Sequence, residues 1–188
     1  MTNLSNKHSP EQLAISDFDR IFSQFSLSGL NGAHLFLTGG TGFFGFWILM
    51  GISCLNMSGA NISVVALSRD PKRFLTNHPF FKQCQWLSFC QGDVIDYTPP
   101  IGDFDLFIHG ATDTSPSAMA SPVHLFQSMV KGTEHVLQHA LSAKAQRVLI
   151  ISSGAVYGEQ PPNVDKISED EFYVGSSLNV NNVYGEGK

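Results

Sequence analysis

The sequence predicts an α/β fold, a doubly wound parallel sheet, with one further helix ahead of it. From residue 33 onward, short apolar runs alternate with longer stretches of helical period, and the runs are apolar throughout rather than at every second residue. A parallel sheet with helices on both faces gives this pattern, whereas a half-exposed antiparallel sheet gives strict alternation. A chain of 188 residues suits one such domain better than two.

Each element is predicted from its own residues. Ser9 and Pro10 are typical of a helix start, and the apolar residues that follow recur at helical spacing: Leu13, Phe18, Ile21, Phe22 and Phe25. Later strands are predicted at 34–37, 62–67, 86–90, 106–109 and 148–151, and helices at 43–55, 72–75 and 121–143. We expect a helical extension over residues 1–31 and a domain over residues 32–188. The polar stretch from Gly158 predicts a loop across the sheet.

Composition narrows the classes of function. Hydrophobic residues make up 43% and charged residues 14%, with a net charge of −5, which is typical of a globular protein and gives no basic face for nucleic acid. No basic run or apolar stretch of membrane-spanning length is present, so no membrane association is expected. Cys54, Cys84 and Cys90 have no paired spacing, no signal peptide is recognisable, and histidines lack metal-ligand spacing. A cytoplasmic protein without a metal is expected.

A glycine-rich turn follows the first predicted strand. Gly39, Gly42 and Gly45 lie in Thr38–Gly45, where the next helix begins, and this is the context that a dinucleotide-binding turn requires. The first glycine permits the turn, the second lets the backbone approach a pyrophosphate, and the third lets helix and strand pack closely. The pyrophosphate would meet N–H groups at the helix N-terminus, with Thr41, Phe43 and Phe44 beside it.

The end of the second strand bears on which nicotinamide cofactor is bound. An acidic residue there holds the ribose 2′-hydroxyl, whereas arginine accommodates a 2′-phosphate. Ser68 stands where the acid is expected and Arg69 follows it, which favours NADP(H) slightly over NAD(H). Asp70 remains an alternative ribose ligand, although its simpler role is to cap the helix that Pro71 begins.

Five motifs in order resemble the extended short-chain dehydrogenase/reductase superfamily, whose members include NAD-dependent nucleotide-sugar epimerases and dehydratases. They are the TGxxGxxG turn, Gly92-Asp93-Val94, His109-Gly110-Ala111-Thr112, Ser152–Gly158 and the YxxxK pair Tyr184 and Lys188. The resemblance covers residues 33–188 and implies a Rossmann-type domain that is truncated at the catalytic helix, without its C-terminal substrate-binding part. It also implies an enzyme that binds NAD(P) and a nucleotide sugar, with homodimers common among such enzymes.

The resemblance assigns roles to particular residues. Asp93 and Val94 would contact the adenine, while His109, Gly110 and Ala111 would line the cofactor cleft. Tyr184 would be the acid/base, Lys188 would hold the nicotinamide ribose, and Ser153 would hydrogen-bond the substrate oxygen. A spacing of four residues puts Tyr184 and Lys188 on one helix face. A phenol is a weak base at neutral pH, and a nearby ammonium favours its phenolate.

Two departures from the family pattern are informative. Dehydratases of this type carry acidic residues after the catalytic serine or threonine, where this chain has Gly154 and Ala155, and many members have Asn where this chain has Met129. The first departure favours epimerase-type redox chemistry. A 4,6-dehydratase, a keto-sugar reductase, a non-catalytic NAD(P)-binding sensor and a truncated remnant remain the alternatives. We expect cofactor binding but little activity from the 188 residues alone.

Overall fold

The computed structural model describes residues 15, 17, 18, 20–170 and 182–188. Its centre is a five-stranded, all-parallel sheet in the order β3-β2-β1-β4-β5. The strands are β1 (His34–Thr38), β2 (Ser63–Ser68), β3 (Leu87–Gln91), β4 (Leu106–His109) and β5 (Arg147–Ile150). The predicted fold class is confirmed, and each strand lies within one residue of its predicted bounds.

Helices flank the sheet. They are α1 (Phe43–Met57), α2 (Pro71–Asn77), α3 (Pro116–Met119), α4 (Pro122–Ser142) and α5 (Val183–Gly187), with 3₁₀ turns at Ser28–Leu30, Pro79–Gln83 and Gly154–Tyr157. Proline stands at the start of α2 and of α4, where its missing N–H costs nothing. Met57 and Asn77 extend α1 and α2 by two residues beyond their predicted ends. The sequence did not predict α3.

The strand order creates a crevice above β1 and β4. From β1 the chain moves outward through β2 to β3, and it then crosses back to place β4 on the other side of β1. In register, Thr38 at the end of β1 is opposite Leu67 and His109. The loops after β1 and β4 therefore separate at the carboxyl edge, which is where open α/β sheets bind ligands.

The core lies on both sides of the central strands. On one face, Phe36, Phe104 and Phe107 are at most 2% exposed, and their rings meet in tilted and edge-to-face pairs 5.1–5.6 Å apart. On the other face, Leu35 and Leu37 pack with residues of α1 and β2. Burial of each such side chain stabilises the fold by about 1.5–3 kcal/mol, so the core fixes the strand ends that carry the crevice.

Burial is uneven across the sheet. All residues of β5 are exposed, Leu149 at 54%, although the apolar sequence predicted a strand covered on both faces. This expectation is wrong for β5 because it is an edge strand without helices packed over its side chains among the described residues. α4 likewise exposes one apolar face: Val123, Phe126, Val130, Leu137 and Leu141.

Helical residues near the N-terminus pack on α1. Phe18 and Phe22 stack at 5.1 Å, and a side chain added at Gly51 would lie 3.2 Å from either ring. These two residues confirm the predicted apolar face, but Ile21 and Phe25 are 41% and 63% exposed. Phe25 departs because helical conformation ends at residue 22. The predicted start at Ser9 lies outside the described residues, and none of the described helices is long and apolar enough to cross a membrane.

Candidate functional site

The glycine turn joins β1 to α1 by close backbone contacts. Gly39 has φ 73°, a left-handed conformation that favours glycine, and a Cβ there would lie 2.6 Å from the carbonyl atoms of Gly110. A Cβ at Gly45 would overlap Gly39 O and Gly40 Cα. Both glycines are therefore required for the turn itself.

Gly42 has a different environment. It has φ −91°, and its Cβ would meet only Gly39 O, at 3.3 Å, so the fold alone does not demand glycine there. It is the N-cap of α1 without a side-chain cap, and the first N–H groups of a helix have no partner within it. Phe43 and Phe44 begin the helix with rings 74% and 66% exposed. The turn thus offers unpaired N–H groups and a small surface to an anion.

The end of β2 carries hydroxyl and guanidinium groups. Ser68 is buried, and its Oγ accepts from Asp70 N at 3.2 Å and lies 3.4 Å from Thr41 Oγ1. Asp70 Oδ1 accepts from Arg73 N at 3.0 Å, which gives it the capping role. Arg69 Nη1 donates to Asp113 Oδ2 at 3.2 Å, across the crevice.

Hydrogen bonds within the loop after β3 and packing against α4 hold this loop in place. Asp93 Oδ1 accepts from Ile95 N at 3.2 Å, and its carbonyl accepts from Tyr97 N at 2.9 Å. Val94 packs on α4 at Gly132, where an added Cβ would lie 2.8 Å from Val94 Cγ1. Asp93 and Val94 thus face the crevice on a loop whose position is set by backbone bonds and by α4.

His109 lies beneath the crevice rather than in its wall. Thr38 Oγ1 accepts from Gly110 N and Ala111 N at 3.2 Å each and lies 2.7 Å from His109 Nδ1. The hydroxyl therefore gives its one hydrogen to Nδ1, and Nε2 donates to Thr133 Oγ1 at 3.1 Å. Burial, and then the charge of Lys188, lowers the pKa of His109 to about 4. A neutral histidine thus braces the loops after β1 and β4.

Tyr184 lies on α5 at the other end of the crevice, and Lys188 directly follows this helix. Lys188 Nζ donates to Ile151 O at 3.0 Å and lies 5.9 Å from the centroid of the Tyr184 ring. Burial lowers the pKa of Lys188. Helix α5 packs closely on its neighbours, since a Cβ at Gly187 would overlap Met129 Cε. Met129 therefore fills the space beside α5, which gives this departure from the family pattern a packing role.

Ser153 caps a turn next to this pair. Its Oγ accepts from Ala155 N at 3.2 Å at the start of the Gly154–Tyr157 turn. Ser152, not Ser153, is among the residues that line the crevice. The space beside Gly154 is open, since a Cβ added there would have no neighbour within 4 Å.

These elements enclose one continuous cleft of about 440 Å³, within the range of small-molecule sites. It brings together most of the predicted cofactor residues: Gly39, Thr41, Gly42, Phe43, Phe44, Ser68, Arg69, Asp93, Val94, Gly110, Ala111, Tyr184 and Lys188. Gly45, His109 and Ser153 support it from outside its lining. Sequence reasoning missed Leu67, Asp113, Thr114, Ser128 and Ile151, which no motif marks. Within the Ser152–Gly158 motif it singled out Ser153 rather than Ser152.

A second cavity of about 420 Å³ opens beyond the end of β2 and shares part of this wall. Its lining includes Thr41, Ser68, Asp70 and two arginines, Arg69 and Arg73. Within the part of the chain that the structure describes, Arg73 forms no ion pair. Arg73 was not singled out from the sequence, although a second arginine one helical turn after the strand was a usable signal. Across the described residues, no group of His, Cys, Asp and Glu has a metal-binding arrangement.

Comparison with known proteins gives a family and a set of similar folds. A model described as the NAD dependent epimerase/dehydratase family matches residues 35–188. No curated protein matches the sequence significantly.

Several solved structures share the fold. UDP-N-acetylglucosamine 4-epimerase from Methanobrevibacter ruminantium is 22% identical with a TM-score of 0.62, and the match covers 82% of this chain and 47% of the epimerase chain. ADP-L-glycero-D-manno-heptose-6-epimerase from Helicobacter pylori is 23% identical with TM-score 0.59, covering 84% and 48%. An NAD-bound short-chain dehydrogenase/reductase superfamily protein from Agrobacterium tumefaciens is 22% identical with TM-score 0.59, covering 82% and 42%. The chain therefore spans less than half the length of these structures.

Proposed function

The chain belongs to the NAD dependent epimerase/dehydratase family, and on that premise we propose that it forms the cofactor-binding part of an enzyme that oxidises a carbon of a nucleotide-linked sugar. The observation that carries the proposal is the continuity of the cleft. It runs from the glycine turn, which suits a pyrophosphate, to Tyr184 on α5 and Lys188 directly after it. A dinucleotide is long enough to bridge these two ends.

The residues of the cleft fit such a cofactor. Unpaired N–H groups at the start of α1 suit the pyrophosphate, and Gly42 leaves room for it, since a side chain at that position would point into open space apart from Gly39 O. Asp93 Oδ1 accepts from Ile95 N, which holds the carboxylate in place at the cleft, where it is proposed to contact the adenine. A bound nicotinamide supplies hydride transfer, and the protein supplies position and proton transfer.

Tyr184 is the proposed acid/base. As a phenolate it would take the proton of a sugar hydroxyl, and the hydrogen on the same carbon would pass as hydride to the nicotinamide. Lys188 is anchored by Ile151 O at 3.0 Å, and its Nζ lies 5.9 Å from the centroid of the Tyr184 ring, so its ammonium is held near the proposed acid/base. Ser153, whose Oγ accepts from Ala155 N, is proposed to orient the substrate oxygen with its hydroxyl hydrogen.

An epimerase or keto-sugar reductase is favoured over a 4,6-dehydratase. Elimination of water needs a proton donor for the leaving hydroxyl and a base at the adjacent carbon. The turn after Ser153 offers Gly154 and Ala155, and neither carries a proton-transfer group.

NADP(H) is the proposed preference. Ser68 provides no carboxylate for a ribose 2′-hydroxyl, and Asp70 is engaged as the cap of α2. Arg69 and Arg73 line the cavity next to Ser68, and guanidinium groups suit a 2′-phosphate.

The test is turnover of UDP-linked and ADP-linked sugars by this chain, and by the longer protein if its gene continues past Lys188. Tyr184→Phe is expected to lower kcat at least 100-fold, within the usual range for loss of a general acid/base, while the Kd for the cofactor changes much less because only one hydroxyl of the cleft lining is removed. Tyr157→Phe is the matched control, because Tyr157 is outside the cleft lining. Equal kcat for Tyr184→Phe and the unsubstituted protein would contradict the proposal.

A further inference from the structure

One ion pair crosses the mouth of the cleft. Arg69 follows β2 and Asp113 follows β4, and these strands lie on opposite sides of β1. Their side chains nevertheless meet, with Arg69 Nη1 3.2 Å from Asp113 Oδ2. The pair therefore joins the two walls between which a dinucleotide would lie.

Asp113 is the fixed partner of the pair. Its Oδ1 accepts from Ser115 N at 3.0 Å, and hydrogen bonds from Ser115, more than the nearby Arg69, lower the pKa of the carboxyl group. The Arg69 side chain is 68% exposed, against 35% for Asp113. The carboxylate is thus placed by its own loop, and the long arginine reaches over to it.

The Arg69 guanidinium also faces a second place where an anion would bind. It lines the cavity at the end of β2 together with Arg73 and Asp70, and Asp70 Oδ1 is engaged with Arg73 N as the cap of α2. A guanidinium carries several donors in a fixed plane, and a phosphate in this cavity would compete with Asp113 for them. Both anions would lie against one guanidinium, closer together than the screening length of about 8 Å at physiological salt.

We propose that Asp113 is a specificity-determining residue of the cofactor site: its carboxylate holds Arg69 and weakens binding of the cofactor's 2′-phosphate, so that discrimination between NADP and NAD is kept small. Arg73, which has no ion pair among the described residues, still offers the phosphate a partner. The inference rests on the proposed function, since it requires that the cleft takes a dinucleotide.

The experiment uses the adenosine end of the cofactor alone. Adenosine 2′,5′-bisphosphate and 5′-AMP are titrated by calorimetry into the chain and into Asp113→Asn, whose amide oxygen can still accept from Ser115 N. Asp103→Asn is the matched control, because Asp103 forms a similar exposed ion pair with Lys144, also at 3.2 Å. Arg69→Gln and Arg73→Gln complete the set, and circular dichroism checks that each variant is folded.

Asp113→Asn is expected to tighten binding of the bisphosphate about fivefold, the equivalent of a surface ion pair of about 1 kcal/mol. The Kd for 5′-AMP should change less than about twofold, and the gain should shrink at high salt. Asp103→Asn should change the Kd of neither ligand. Arg69→Gln in the Asp113→Asn background should remove the gain in affinity for the bisphosphate.

Other outcomes overturn the inference in distinguishable ways. If 5′-AMP binds but Asp113→Asn does not tighten binding of the bisphosphate relative to that of 5′-AMP, the role of Asp113 is refuted while the nucleotide site stands. If Asp113→Asn weakens both ligands equally, Asp113 only positions the loop, and the inference is again refuted. If neither nucleotide binds to any folded variant, the proposed function and the inference both fail.

Discussion

Gly45→Ala tests whether the glycine turn is built as described. The new Cβ would overlap Gly39 O and Gly40 Cα, both backbone atoms that cannot move without separating β1 from α1. Overpacking of this kind typically costs about 1–3 kcal/mol, and contact with backbone puts this case near the upper end. For a chain of this size, about 1 kcal/mol shifts Tm by roughly 2–4 °C. We therefore expect Tm to fall by about 6–12 °C.

Gly42→Ala is the control within the same turn. Its Cβ would meet only Gly39 O, at 3.3 Å, with φ −91° outside the left-handed region. Loss of the glycine N-cap costs at most about 1 kcal/mol, so a drop in Tm of no more than roughly 4 °C is expected. Nucleotide binding should instead weaken, because the methyl group stands where a pyrophosphate would approach.

The assay is thermal unfolding followed by circular dichroism, with urea unfolding followed by tryptophan fluorescence in a Trp86→Phe background, where Trp47 on α1 is the remaining tryptophan. Trp47 packs against Phe46 at 5.5 Å between ring centroids, so its emission reports on the helix that the turn begins. Equal Tm values for Gly45→Ala and the unsubstituted chain would refute the close approach of α1 to β1. A larger loss of Tm in Gly42→Ala than in Gly45→Ala would refute the roles assigned here, which are close packing for Gly45 and approach of an anion for Gly42.

Three further predictions concern the core and the network below the cleft. Phe107→Ala should destabilise the chain by about 3–5 kcal/mol in urea unfolding because Phe107 is fully buried, whereas Leu149→Ala, at a position 54% exposed, should cost under about 1 kcal/mol. Because burial lowers the pKa of His109 to about 4 from 6.5, the unfolded chain binds the proton first. Stability should therefore fall as pH drops from 6.5 toward 4, by at most about 3 kcal/mol, and His109→Asn should flatten this profile. Lys188→Met removes a positive charge that contributes to that shift, so NMR titration should give a higher pKa for His109, and an unchanged pKa would contradict their proximity.

Much of the fold was predictable because parallel strands carry continuous apolar runs. β4 was predicted with its observed bounds, and the glycine turn with its flanking strand and helix, since φ and close packing restrict Gly39 and Gly45 to glycine. The exposure of β5 was not predictable, because an apolar run in sequence does not reveal whether a helix covers it.

The side-chain partners in the site were harder to predict. Arg69 and Asp113 are 44 residues apart in sequence, and their pairing depends on the crossover that places β4 beside β1. The motif that contains His109 predicted its position on the chain but not its buried bonds to Thr38 and Thr133. Side-chain direction at the end of a strand depends on register and on the neighbouring loops, which short motifs do not encode.

The most direct test of the account is a fluorescence titration of this chain with NADPH and NADH, repeated on Arg69→Ala. We predict that both cofactors bind, that NADPH binds modestly more tightly, and that this preference is reduced in Arg69→Ala, where Arg73 is the remaining arginine of the cavity. Binding of neither cofactor by the folded chain would contradict the central claim that its cleft is a dinucleotide site.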